Sequence, residues 1–158
     1  MSSRQAPAVR NVVVDAAAPV SSWPFEAVHA AIDRGSLADW RRLAAEIHRA
    51  PWGRVARAVE VVTGWDEHPG VDAALLAVVQ QTRDDVSAEG RGRWATHIRS
   101  LRAGTGLSMR QFSRLAGTSA SRLSDYENGR VSPTTETLGR LEHAARVAAQ
   151  DRPQGPSR

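Results

Sequence analysis

The sequence predicts an all-α protein, and three observations support this. Apolar residues recur every three or four positions through most of residues 22–150, which is the spacing of one face of an α-helix. Prolines, glycines and hydroxyl residues stand where these runs begin or end, as helix caps do. Only residues 9–15 (VRNVVVD) have the composition of a strand, and no second strand signal exists to pair with them.

Four helices are predicted between residues 22 and 84, which we interpret as an N-terminal domain. The residues that mark the helix boundaries are Pro24, Gly35, Ser36 with Asp39, Pro51 and Gly64. The fourth helix is expected from Val71 to about Arg83, after a loop of sequence WDEHPG. Four amphipathic helices that carry four of the five tryptophans can form a small bundle or half of a dimeric one, and the sequence leaves both open.

The charges divide the chain into two halves. Residues 91–158 carry 12 arginines against 5 acidic residues, a net of +7, whereas residues 1–90 carry 9 against 12, a net of −3. A basic half and a mildly acidic half fit a DNA-binding module joined to a domain that need not touch DNA. The remaining boundaries are predicted as a flexible tail at 1–21, a polar, glycine-bearing linker at 85–93, a DNA-binding domain at 94–149 and a second flexible tail at 150–158.

Residues 108–129, SMRQFSRLAGTSASRLSDYENG, predict two short helices joined by a tight turn. Ser108 can cap the first helix, with a glutamine three residues on, and Gly117 permits the left-handed backbone of a sharp reversal. In the second helix Leu123 and Tyr126 lie on one face, which leaves small and polar residues exposed beside an arginine. Such a helix suits insertion into a DNA groove.

From Ile98 to about Val147 the chain resembles the phage repressor/Cro (Xre) helix-turn-helix family. It carries the patterns IxxLRxxxGLS, LAG and YENGRxxP in that order. The resemblance implies a five-helix, lambda-repressor-like domain that binds double-stranded DNA. The family's phosphate-contacting glutamine corresponds to Met109 in this sequence.

The resemblance also implies which residues contact DNA. Positions that read bases correspond to Ala120, Ser121, Arg122, Ser124 and Asp125, and other DNA-contacting positions to Ser108, Met109, Ser119, Asn128, Arg130 and Thr134. Arg110 and Arg114 on the preceding helix have two readings, as added attraction for phosphate or as solvated surface arginines. Arg122 can donate twice to guanine or phosphate. Asp125 has two readings, in which its carboxylate either accepts from a cytosine amino group or is held by Arg122. The family further implies an internal ion pair between Arg102 and Glu127.

The sequence offers no evident catalytic apparatus. Its five histidines are scattered, none stands at a metal-binding spacing such as HExxH, and there is no glycine-rich phosphate loop. Zero cysteines exclude disulfides and thiolate metal sites. We therefore expect no enzyme, no metal and no cofactor. The lack of 18 uninterrupted apolar residues predicts no membrane segment, and a cytoplasmic protein is expected.

These features predict a sequence-specific transcriptional repressor that works as a homodimer, with the N-terminal domain as the preferred dimerisation element. An antitoxin is the alternative, binding its toxin through residues 22–84 and repressing the shared operon through the helix-turn-helix. A phage-type immunity repressor is a third possibility.

Overall fold

The computed structural model describes residues 18–65 and 69–151, and these residues form helices without any strand. The all-α prediction is confirmed. The chain divides into two compact units, Met1–Asp85 and Val86–Arg158. A short 3-10 turn at Val20–Ser22 precedes helices α1 (Phe25–Arg34), α2 (Leu37–Arg49), α3 (Arg54–Thr63), α4 (Pro69–Thr105), α5 (Met109–Leu115), α6 (Ala120–Glu127) and α7 (Thr135–Gln150).

The first unit packs α1, α2, α3 and the beginning of α4 around one apolar core. Its largest fully buried side chains are Val28, Ile32, Leu43, Ile47, Val59 and Val79. The predicted cap of α2 is present, because the Ser36 hydroxyl accepts from the Asp39 amide while the Asp39 carboxylate accepts from the Ser36 amide at 2.9 Å. The bonds that the Asp39 carboxylate accepts from the Ser36 amide and, to a smaller extent, from the Ser36 hydroxyl lower the pKa of Asp39. The four helices of the prediction are therefore found, although the third begins at Arg54 rather than Pro51 and the fourth at Pro69 rather than Val71.

The structure differs from the conformation predicted for two segments at the ends of this unit, the N-terminal tail and the linker. Residues 18–21 were expected in a tail, but Val20 is buried in the core and the Ala18 carbonyl accepts from Arg42 Nη2 at 2.9 Å. The linker expected at 85–93 is helical, since α4 runs through it without a break. Gly90 and Gly92 each cost a helix only about 1 kcal/mol, and the segment contains no proline to stop it. The possible strand at 9–15 lies outside the described residues.

The second unit has its own core, in which Ile98, Phe112, Leu123 and Leu141 are fully buried. Within the described residues it contains four helical segments, the end of α4 together with α5, α6 and α7. The expected count of five is corrected to four, because residues 135–150 form one helix that contains no proline and buries Leu141 and Ala144 along one stripe. Gln150, assigned to a tail, is the last residue of this helix.

Candidate nucleic-acid interface

Helix α5 begins with the cap that the sequence predicts. The Ser108 hydroxyl accepts from the Gln111 amide at 3.4 Å, and the Gln111 side-chain oxygen accepts from the Ser108 amide at 3.0 Å. This reciprocal arrangement satisfies two amides that the first turn of a helix leaves unpaired. Behind it, Phe112 fills the core, so the start and the orientation of α5 are both determined.

A tight turn connects α5 to α6. Gly117 has a φ of 66°, a left-handed conformation in which a side chain would be strained. The turn is closed by two backbone bonds, from the Gly117 amide to the Arg114 carbonyl at 3.2 Å and from the Thr118 amide to the Ser113 carbonyl at 2.9 Å. Ser119 then caps α6 by accepting from the Arg122 amide at 3.1 Å. The helix-turn-helix predicted from residues 108–129 is present.

Helix α6 buries one face and exposes another. Leu123, Tyr126 and Glu127 are buried. Ser121 and Arg122 are exposed, whereas Ala120, Ser124 and Asp125 are half-buried. The five positions predicted to read bases therefore all keep accessible surface, and the apolar residues of the helix hold it from behind.

Arg122 is exposed and partly anchored. Its Nε donates to the Tyr126 hydroxyl at 3.3 Å, a bond that raises the pKa of the guanidinium. Among the described residues no acceptor is found for its two Nη groups. A guanidinium with both Nη groups available can donate twice to one base edge or phosphate.

Asp125 pairs with Arg130, which neither of the two sequence interpretations of Asp125 includes. Arg130 Nη1 donates to Asp125 Oδ1 at 3.2 Å. The contact follows from the way in which α6 ends, because Gly129 has a φ of 67°, its amide bonds the Tyr126 carbonyl at 3.1 Å and the Arg130 amide bonds the Asp125 carbonyl at 3.0 Å. This pair of bonds is a Schellman cap, and it returns residue 130 to residue 125. The sequence motif YENGR indicates this cap, since a glycine directly after a helix end favours the left-handed backbone that a Schellman cap requires.

The other predicted DNA-contacting residues differ in their burial and in the hydrogen bonds that they already make within the protein. Met109 is half-buried and packs against the core, so it offers the least polar surface. Asn128 Nδ2 donates to the Ser124 carbonyl at 2.7 Å, and Thr134 caps α7 by accepting from the Thr137 amide at 3.1 Å. Arg110 is exposed.

Arg102 and Glu127 form a bidentate ion pair of the kind that the resemblance implies. Arg102 Nε donates to Glu127 Oε1 at 2.6 Å and Nη2 donates to Oε2 at 3.1 Å. The exposed fractions of the two side chains are 28% and 6%. The hydrogen bond to Glu127 raises the pKa of Arg102. The pair joins the end of α4 to the end of α6 and so fixes the helix that carries the candidate base contacts.

A comparison with protein families gives one match, the helix-turn-helix family model, over residues 98–151. The matched segment coincides with the one whose sequence resembles the Xre family, and it contains the helix-turn-helix described above. The match supports a DNA-binding transcription regulator. Comparisons with curated proteins and with solved structures give no match.

Other classes of site find no counterpart in the parts of the chain that the structure describes. In residues 18–65 and 69–151 no group of three or more His, Asp or Glu side chains could hold a metal ion. No helix of the same residues is long and apolar enough to cross a membrane. The helix-turn-helix family is one of DNA-binding regulators and is not normally enzymatic.

Proposed function

We propose that the protein is a sequence-specific transcriptional repressor that reads base edges with the exposed face of α6. The observation that carries this proposal is Arg122, which is exposed on α6, is bonded among the described residues through Nε alone, and is backed by the buried Leu123 and Tyr126. A fixed helix with a forked donor can discriminate guanine through its O6 and N7 acceptors. Ala120 is the candidate for a thymine methyl group, and Ser121 and Ser124 can donate or accept.

The residues around α6 supply the positioning contacts of this proposal. Among the hydroxyl groups of Ser108, Ser119 and Thr134, that of Ser119 is best placed to bind phosphate. Its oxygen accepts from the Arg122 amide, and its proton can still be donated to a phosphate. The Ser108 hydroxyl instead donates to Gln111 Oε1 at 2.8 Å. The Thr134 hydroxyl lies 2.9 Å from that of Thr137. Arg110 adds a charged donor for phosphate.

Asp125 and Arg130 act together in this proposal. Arg130 holds Asp125 through Oδ1 and reduces the repulsion between the carboxylate and the phosphates. The second oxygen, Oδ2, then accepts from a cytosine amino group. Asn128 supports the end of α6, since its Nδ2 donates to the Ser124 carbonyl at 2.7 Å and to the Ser124 hydroxyl at 3.3 Å. It contacts the DNA backbone by exchanging the longer of these two bonds for one to a phosphate oxygen.

A homodimer is the second part of the proposal. One helix-turn-helix reads only about half of a useful site, so two copies on half-sites about one helical turn apart provide the specificity. The first unit offers apolar surface for such a contact, because the exposed fractions of Leu37 and Trp52 are 56% and 53%.

The same surface supports one alternative, an antitoxin whose first unit binds a toxin. Light scattering on the isolated chain separates the two candidates, since a repressor that dimerises through Leu37 and Trp52 has twice the mass of the chain. A monomer that forms a stable complex with the product of a neighbouring gene would favour the antitoxin.

The reading role of Arg122 is tested on the DNA site that the full chain selects from random duplexes. Arg122→Ala is expected to weaken binding to that site by about 1–3 kcal/mol, because a bidentate base contact is lost. Arg122→Lys is the matched control, since it keeps the positive charge but lacks the planar guanidinium that donates two parallel hydrogen bonds. It should bind random duplexes as the wild type does and still lose preference for the selected site. Unchanged binding of Arg122→Ala to the selected site would refute the assignment.

A further inference from the structure

The first unit contains an open cavity of about 310 Å³ along α3. Its floor is formed by Trp23, Val28 and Val55, whose exposed fractions are 6%, 1% and 3%, and the more exposed Phe25 and Val61 also line it. Cavities of roughly 300–1,000 Å³ with apolar and aromatic walls are typical of small-molecule sites. The cavity is open to solvent, and its three nearly buried residues provide an apolar wall.

The charged side chains that line the cavity are both positive. Arg54 and Arg57 line it, and no acidic residue is found among its described lining residues. Arg54 is also the first residue of α3, and Gly53 before it has no side chain to cap the helix. The partial positive charge of a helix N-terminus adds to that of the guanidinium groups. The apolar floor and the cationic wall together suit a molecule with an apolar body and one anionic head.

The floor of the cavity is held in place by its surroundings. The Arg42 guanidinium lies 4.8 Å from the centre of the Trp23 ring and is itself bonded to the Ala18 carbonyl. Val28 and Val55 belong to the core of the unit. A preformed site of this kind binds without first having to order its walls.

We propose that this cavity binds a small amphipathic anion, with the apolar body on the Trp23, Val28 and Val55 floor and the anionic head at Arg54 and Arg57. This site lies in the first unit and is separate from the DNA-reading role proposed for α6. Its success or failure in experiment is therefore independent of that role.

The probes for the test are octanoate, octan-1-ol and octylammonium, which share a tail and differ in the charge of the head. The reporter is the indole N–H resonance of Trp23 in the full chain, because this N–H is buried and has no hydrogen-bond partner in the described residues. Octanoate should shift this resonance saturably and bind at least about tenfold more tightly than octan-1-ol, and octylammonium should not bind. No saturable shift with octanoate overturns the proposal.

The double variant Arg54→Gln/Arg57→Gln tests the source of the preference. It should lose most of the preference for octanoate over octan-1-ol, whereas Arg41→Gln, a change on α2 outside the cavity, should leave the preference unchanged. If wild-type protein binds octan-1-ol as tightly as octanoate, the cavity is an apolar surface of the kind that a partner protein covers, and the anion site is wrong. A charge preference that is undiminished in the double variant also contradicts it.

Discussion

Replacing Arg102 by methionine is expected to destabilise the helix-turn-helix unit by about 3 kcal/mol. The Glu127 side chain is 6% exposed and bonds Arg102 through both oxygens, so the change leaves a buried carboxylate without its partner. Breaking a buried pair costs about 3–5 kcal/mol. We expect the lower end, because the Arg102 side chain is 28% exposed and water can reach its place.

Native-state hydrogen exchange at the amides of Leu123 and Leu141 measures this loss, since both residues belong to the core of that unit. The double variant Arg102→Met/Glu127→Leu should recover most of the stability, because no unpaired charge remains. Arg130→Met is the control for an exposed pair, its side chain being 67% exposed, and should cost less than about 1 kcal/mol. A loss for Arg102→Met as small as that of the control would contradict a structural role for the pair.

The second large effect is expected in the salt dependence of DNA binding. Three arginines of the candidate interface, Arg110, Arg122 and Arg130, are exposed. The Asp125 carboxylate, which is paired with Arg130, offsets one of these three charges. At about 0.9 counterion per neutralised phosphate, the remaining two charges predict a slope of log K against log salt of about −1.8 per copy. The affinity of one copy should then fall about 12-fold between about 50 and 200 mM salt, and that of a dimer on two half-sites about 150-fold.

Fluorescence anisotropy with a labelled duplex at several salt concentrations gives the slope. Arg110→Ala should reduce it by about 1 per copy, whereas Arg41→Ala, on α2 of the first unit, should leave it unchanged. A slope near zero would mean that no phosphates are neutralised and that these arginines do not face DNA.

Local signals in the sequence were sufficient to predict the starts of α2, α5 and α6 and the turn between α5 and α6. The caps at Ser36, Ser108 and Ser119 involve residues only three positions apart, and Gly117 serves a reversal between adjacent helices. Each of these features depends on short-range hydrogen bonds. A single sequence therefore contains the information that they need.

Features that depend on tertiary packing or on a weak signal were not predicted. The linker assignment at 85–93 failed because Gly90 and Gly92 lower helix stability by only about 1 kcal/mol each and α4 continues through them. Val20 lies in a segment without periodicity, yet it is buried by helices distant in sequence. The Asp125–Arg130 contact requires the backbone reversal at Gly129, which helical spacing alone does not describe.

The central claim is that the exposed face of α6 contacts DNA bases, and an NMR titration of the full chain with its selected duplex tests it most directly. We predict that the largest amide shifts occur at residues 119–125 and at Arg130, with those in α1, α2 and α3 unchanged or small. Shifts confined to the first unit, or a duplex that leaves residues 119–125 unaffected, would contradict the account.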